Sequence, residues 1–150
     1  MPGSGFAELM AWIETRVGAY WVKGRTLFYG HLPKLTTLGQ TPPLRCAVLA
    51  HMDPGVTDGQ LPDFAEFSFQ VWNRHKDYPS AEEDAYHFFW ILHGQAGLNL
   101  PVLTSGEEWT AMVIDAIGRP TAIGNPEEEG FWTFATNYIC RLEAPALSPY

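Results

Sequence analysis

Cysteine is scarce in this chain, cations never cluster, and long apolar runs are missing. Two cysteines, Cys46 and Cys140, cannot build a disulfide framework, nor a thiolate metal site unless histidines assist. Both stand in apolar stretches that read as strands, where cysteine behaves as a small buried hydrophobe. A bridge between them stays open at this level. Nine Lys and Arg against seventeen Asp and Glu give a formal net charge of -8. The cations, among them Lys23, Arg25, Lys34, Arg45, Arg74, Lys76 and Arg119, are scattered. The concentrated basic face that grips nucleic acid is therefore absent. An acidic wall would still let DNA pass without holding it. Nothing approaches the ~20 apolar residues of a membrane span. The opening Met-Pro-Gly-Ser-Gly lacks the basic start and apolar core of a signal peptide. The expectation is a soluble protein made in a cytoplasm, with no membrane partner.

What is present points to a packed body. Hydrophobic residues make up 46% of the 150 residues and aromatics 14%, which argues against disorder. The length fits one domain over residues 1–150, with a flexible tail at about 145–150. Ser4 can cap a first helix whose Phe6, Leu9, Met10, Ile13 and Val17 share a face, and Gly18 stops it. "TLFYG" reads as a strand ended by Pro33, and residues 32–44 as a loop. "RCAVLAHM" (Arg45–Met52) is a short buried strand, and "DPGVTDGQLPD" a second loop. "FAEFSFQVWN" alternates, with Phe67, Phe69 and Val71 on one face and Glu66, Ser68, Gln70 and Trp72 on the other.

A second helix follows, with Ser80 and Glu83 forming a capping box and Ala81, Ala85, Phe88, Phe89 and Leu92 facing the sheet. Gly94 ends it. After a Gly-rich loop, "EWTAMVIDAIG" and "FWTFATNYICRLEA" read as a long antiparallel pair. The sum is an α+β fold, a mostly antiparallel β-sheet with two main α-helices packed on one face.

Catalytic chemistry finds no foothold. His87 and His93 share a helix but point about 120° apart, and no histidine pair sits at metal-ligand spacing. His93 suits a helix C-terminus. Glu127–Glu129, between Pro126 and Gly130, read as a solvated hairpin tip. "LTSGEEW" lacks the glycine pattern of a nucleophile elbow around Ser105, and no phosphate-cradling glycine signature occurs. Neither an enzyme nor a cofactor site is expected.

The aromatics raise another question, because six Trp, six Tyr and nine Phe exceed what one modest core must hold. Trp72, on the wetter face of its strand, either lies flat on the outer sheet or meets another subunit. Leu35, Leu38, Leu98 and Leu100 sit in loops and either fold back onto the core or serve such a contact. Candidate interface residues are thus Trp72, Leu35, Leu38, Leu98 and Leu100, with Arg74, Lys76 and Tyr78 from the charged knuckle between strand and helix.

The order of helix, "TLFYGHLP", apolar strand, "FSFQVWNRHKDYPSAEEDAYHFFWILHG" and "PTAIGNPEEEGFWTFATNYICRLEA" resembles the tail terminator proteins of long-tailed bacteriophages, also called minor capsid proteins. In that family a strand ending in Arg leads through an aspartate to an alanine-rich helix closing on Leu-His-Gly. Here those positions are Val71–Asp77, Ala81–Ala85 and Leu92–Gly94. The family's Pro, Gly and acidic turn, then an aromatic and Asn-Tyr, match Pro120, Gly124, Glu127–Glu129, Phe131 and Asn137–Tyr138. The resemblance spans roughly residues 4–143 in element order, and the Asp53–Asp63 loop departs from it.

It implies a structural virion protein of the tail-neck region, assembled in the host cytoplasm into a six-membered ring. Such a ring caps the tail tube protein, stops its polymerisation and docks the head connector (stopper) protein, while DNA passes through the lumen without specific binding. A neighbouring neck or tail-completion protein is the alternative within that class. Outside it stand a small ligand-binding domain and an enzyme with no recognisable motif.

Overall fold

A computed structural model describes residues 5–30, 45–57, 64–103, 108–123 and 130–143. In chain order its elements are α1 (Phe6–Arg16), β1 (Leu27–Tyr29), β2 (Arg45–Thr57), β3 (Phe64–His75), α2 (Tyr78–Leu92), β4 (Gln95–Asn99), β5 (Thr110–Ala116), β6 (Thr121–Ala122) and β7 (Trp132–Glu143). The strands form one sheet in the order β1-β2-β3-β7-β5-β4, and β6 pairs with β7. Only β1 and β2 run parallel among these pairs, and the rest are antiparallel. The α+β expectation is met, with the sheet dominant.

Alternation along β3 sets the two faces of the sheet. Phe67, Phe69 and Val71 are buried and lie opposite Cys140, Tyr138 and Thr136 of β7. The Phe69 and Tyr138 rings stack at 5.1 Å and 14°. Both helices cover this face. Phe6 of α1 sets its ring edge-on to Phe67 and Phe69, while Ala81 and Ala85 of α2 pack on Phe134. Leu9, Met10, Ile13, Phe88 and Leu92 complete one core with Leu27, Leu49, Ile114 and Leu142. Trp12, outside the apolar face read from the sequence, is buried as well.

Helix α1 enters this core tightly. Its N-cap, Gly5, has φ 82°, and a β-carbon there would meet Leu142 Cδ1 at 2.6 Å and the Trp109 ring at 2.8 Å. Only glycine meets both demands. Ser4, the expected cap, lies outside the described residues.

Helix α2 begins earlier than its sequence suggests. Asp77 is the N-cap, and its Oδ2 accepts from the Ser80 amide at 3.2 Å and from Ser80 Oγ at 2.6 Å. Ser80 is therefore inside the first turn, and the expected Ser80–Glu83 capping box is replaced. Pro79, in that first turn, explains the shift, because proline fits where amides have no helical partner. At the other end, Gly94 takes φ 79° and its amide donates to Ile114 O at 2.9 Å.

Three further departures share one cause, the pull of a neighbouring strand on sequence with little strand character of its own. β2 continues to Thr57, so half of the expected loop "DPGVTDGQLPD" is strand. A register shift before Asp53 absorbs Met52, and a second after it absorbs Pro54 and Gly55. The stretch Gln95–Asn99, read as part of a Gly-rich loop, is the edge strand β4 against β5. The two-residue β6 was likewise unread. The expected β5–β7 pair forms as read, with Thr110 opposite Glu143.

Cys46 and Cys140 are buried, and neither forms a disulfide. Cys46 pairs in register with Arg74 on one sheet face, Cys140 with Phe67 on the other, with β3 between their strands. A bridge is geometrically closed off.

One ion pair fastens the layers. Arg45 Nε and Nη2 donate to Asp84 Oδ2 and Oδ1, each at 2.7 Å. The guanidinium also lies 4.3 Å from the Tyr20 ring centre and 4.9 Å from that of Trp21. The Asp84 side chain is 7% exposed and that of Arg45 36%, so water screens part of the pair. Asp84→Ala is expected to lower unfolding free energy by about 2–3 kcal/mol, the usual loss for a charged hydrogen-bond partner. Glu82→Ala, on the exposed side of α2, should stay within about 0.5 kcal/mol. Urea denaturation followed by far-UV circular dichroism separates the two, and equal midpoints would contradict the clamp.

Burial pushes the Cys140 thiol from 9.0 up to about 12 and raises the Tyr138 phenol too. Above pH 9 the unfolded thiol ionises while the folded one keeps its proton. The native state then binds more protons, so stability falls as pH rises. Between pH 9 and 12 the Cys140 contribution should fade at up to about 1.4 kcal/mol per pH unit. Urea midpoints measured at pH 8 and about pH 10.5 test this, and a flat profile would contradict it.

Candidate interface surface

The second sheet face carries no helix among the described residues. β3 presents Glu66, Ser68, Gln70, Trp72 and Arg74 there, opposite Arg141, Ile139, Asn137, Ala135 and Thr133 of β7. At its centre Gln70 Nε2 donates to Asn137 Oδ1 at 2.8 Å, and Trp72 Nε1 donates to Gln70 Oε1. That small network fixes the indole. Trp72 remains 40% exposed, its N–H already used and its ring turned to solvent. Glu66 and Arg141 approach at 3.9 Å, both half exposed, which adds little stability. Toward β1, Phe28, Cys46 and Val48 form a separate small apolar cluster on this face.

The knuckle after β3 splits the residues that the sequence placed together. Arg74 is buried, with its guanidinium 4.4 Å from the Phe131 ring centre, and Lys76 Nζ reaches the same ring at 5.5 Å. Two cations thus share one aromatic platform. Tyr78 goes the other way. Its ring sits edge-on to Trp132 and Phe134, at 5.0 and 5.1 Å, beside the N-terminus of α2 on the helix-covered face. Trp72, Arg74 and Lys76 therefore belong to the face that bears no helix among the described residues, and Tyr78 to the helix-covered face.

The loop leucines divide as well. Leu100 is buried in the main core and Leu98 packs against it, so both fold back. Leu35 and Leu38 lie outside the described residues.

A second feature was missed in the sequence. Trp90, on the outer side of α2, is 71% exposed, and Ile117 just beyond β5 is 61% exposed. Beside Trp90 runs a groove of about 350 Å³ lined by Phe89, His93, Ala116, Gly118 and Arg119. The signal was available, since the period that turns Ala81, Ala85, Phe88 and Leu92 inward must turn Trp90 outward.

No histidine sits in a cluster suited to a metal ion among the described residues. His75 Nδ1 accepts from the Asp77 amide at 2.9 Å, and His87 Nε2 lies 2.8 Å from Val17 O. His93 is the C-cap of α2, and its imidazole turns across to β5 rather than to the last helical carbonyls.

No protein-family model matches the chain, and no curated protein matches it. Among solved structures it is similar to a chain in the virion of a native gene transfer agent particle. The likeness is one of fold. It has a TM-score of 0.54 at 15% identity and covers 92% of this chain and 90% of that one.

Trp72→Ala should cost about 2 kcal/mol of subunit stability, since part of the indole is already in water. Phe69→Ala, on the covered face, should cost about 3–5 kcal/mol. Denaturation of both variants checks the assignment of the two faces, and similar losses would overturn it.

Proposed function

We propose that this chain is a structural protein of a phage-type particle, and more closely the subunit of a tail terminator ring. The observation that carries the reading is the fold shared with a virion chain over nine-tenths of both molecules. A sheet covered by helices on one face, and bearing no helix but an exposed indole on the other among the described residues, suits a subunit that meets its neighbours through unlike surfaces, as a closed ring requires. Trp72, held by the Gln70–Asn137 network, supplies a rigid aromatic anchor for such a contact. Lys76, exposed beside the buried Arg74 and Phe131, adds a cation at the end of the same face.

In this reading six copies cap the tail tube protein, end its growth and present the surface to which the head connector docks, in the tail-neck region of the virion. The role is one of shape and docking, with no bond made or broken. The net charge of -8 suits a lumen through which DNA slides without being held.

Deletion of the gene from its parent genome, with negative-stain electron microscopy of the products, tests the assignment. The expected outcome is filled heads lying apart from tails, with tubes grown beyond normal length. Tails of normal length that fail to join would move the role to a neck or tail-completion protein. Intact, normal particles would remove the structural reading and return attention to ligand binding. Complementation with Trp72→Ala should then restore particles poorly, although the variant subunit folds.

A further inference from the structure

The imidazole of His93 holds a position between two partners on β5. Its Nδ1 accepts the Ala116 amide at 2.9 Å, which requires that nitrogen to be unprotonated. The same nitrogen lies 3.9 Å from Asp115 Oδ1 on the exposed side of the strand. The ring stacks on Phe89 at 5.0 Å and 11°, and so forms part of the wall of the groove beside Trp90. Arg119, beyond β5, is the other charged group lining that groove.

We propose that His93 is a pH-operated clip between the end of α2 and β5 that sets the shape of the groove beside Trp90. Neutral His93 accepts from Ala116 and keeps its ring flat on Phe89. Protonation turns Nδ1 into a donor facing another donor, the Ala116 N–H, and that hydrogen bond is lost. The nearby Asp115 carboxylate then becomes the favoured partner, so the ring swings toward it and leaves Phe89. Arg119 opposes the change by like charge, and Asp115 favours it. Imidazole is the side chain that most readily gains a proton on mild acidification, so mild acid is the condition that tests the clip.

The chain corner itself stays in place, because Gly94 N–H still donates to Ile114 O and Gln95 Nε2 to Ile91 O at 2.9 Å. The effect is local to the groove. It does not depend on the proposed virion role.

Nuclear magnetic resonance on the full chain, labelled with ¹⁵N, tests the clip between about pH 7.5 and pH 5. Exchange of the Ala116 amide, corrected for the intrinsic pH effect, should accelerate roughly fivefold, with the midpoint shown by the His93 ring nitrogens. In His93→Gln, whose side-chain carbonyl can accept but not titrate, the Ala116 amide should stay protected throughout. In Asp115→Asn the midpoint should move to lower pH. An Ala116 amide indifferent to pH, or equally sensitive in His93→Gln, would overturn the clip. An unchanged midpoint in Asp115→Asn would overturn the exchange of partners.

Discussion

The guanidinium of Arg45 decides how the layers of this protein sit on one another. It opens β2, grips Asp84 on the buried side of α2 with two hydrogen bonds, and lies against the rings of both Tyr20 and Trp21. Tyr20 Oη donates to the Arg45 carbonyl at 2.8 Å, so the backbone is fixed as well as the side chain. Trp21 in turn meets Phe88 edge-on at 4.9 Å. One cation therefore ties the segment after α1, the start of β2 and the middle of α2. Apolar burial holds the helices on the sheet but does not choose a turn. A planar fork facing a carboxylate does choose one.

With α2 fixed in this way, the sheet becomes two unlike surfaces. The covered face holds the aromatic core from Phe6 to Tyr138, and the other face keeps a polar network around an exposed indole. The strand-to-helix corner lies where these surfaces meet. Arg74 and Lys76 close over Phe131 on one side, and Tyr78 over Trp132 and Phe134 on the other. A short run of sequence thus serves both faces of the molecule.

Much of this was readable in the residues. Strict alternation from Phe67 to Trp72 and helical spacing from Ala81 to Leu92 each encode a face directly, so β3, α2 and their mutual packing were plain. Elements defined by a neighbour were not. Gln95–Asn99 contains two small residues and no β-branched one, and becomes a strand only because β5 offers a ladder. The cap of α2 was misplaced because Asp77 and Ser80 are both good caps, and Pro79 between them decides the matter. The interface candidates were grouped by proximity in the chain, and a corner in the backbone separated Tyr78 from Trp72. Trp90 was missed for a different reason: attention to the inward stripe of a helix passes over the residue it leaves outside.

The position of β7 has a consequence for how the molecule is made. It is the last of the described strands, yet it lies inside the sheet, between β3 and β5, with Phe64 opposite Glu143. Contacts so distant along the chain form slowly, because loop closure must precede them. During synthesis the sheet remains split into two unjoined halves until β7 has left the ribosome. A polypeptide broken off before that point lacks the strand that joins them, and both the face around Trp72 and the core under the helices stay unfinished. Only chains translated through β7 can therefore complete the sheet on both of its faces.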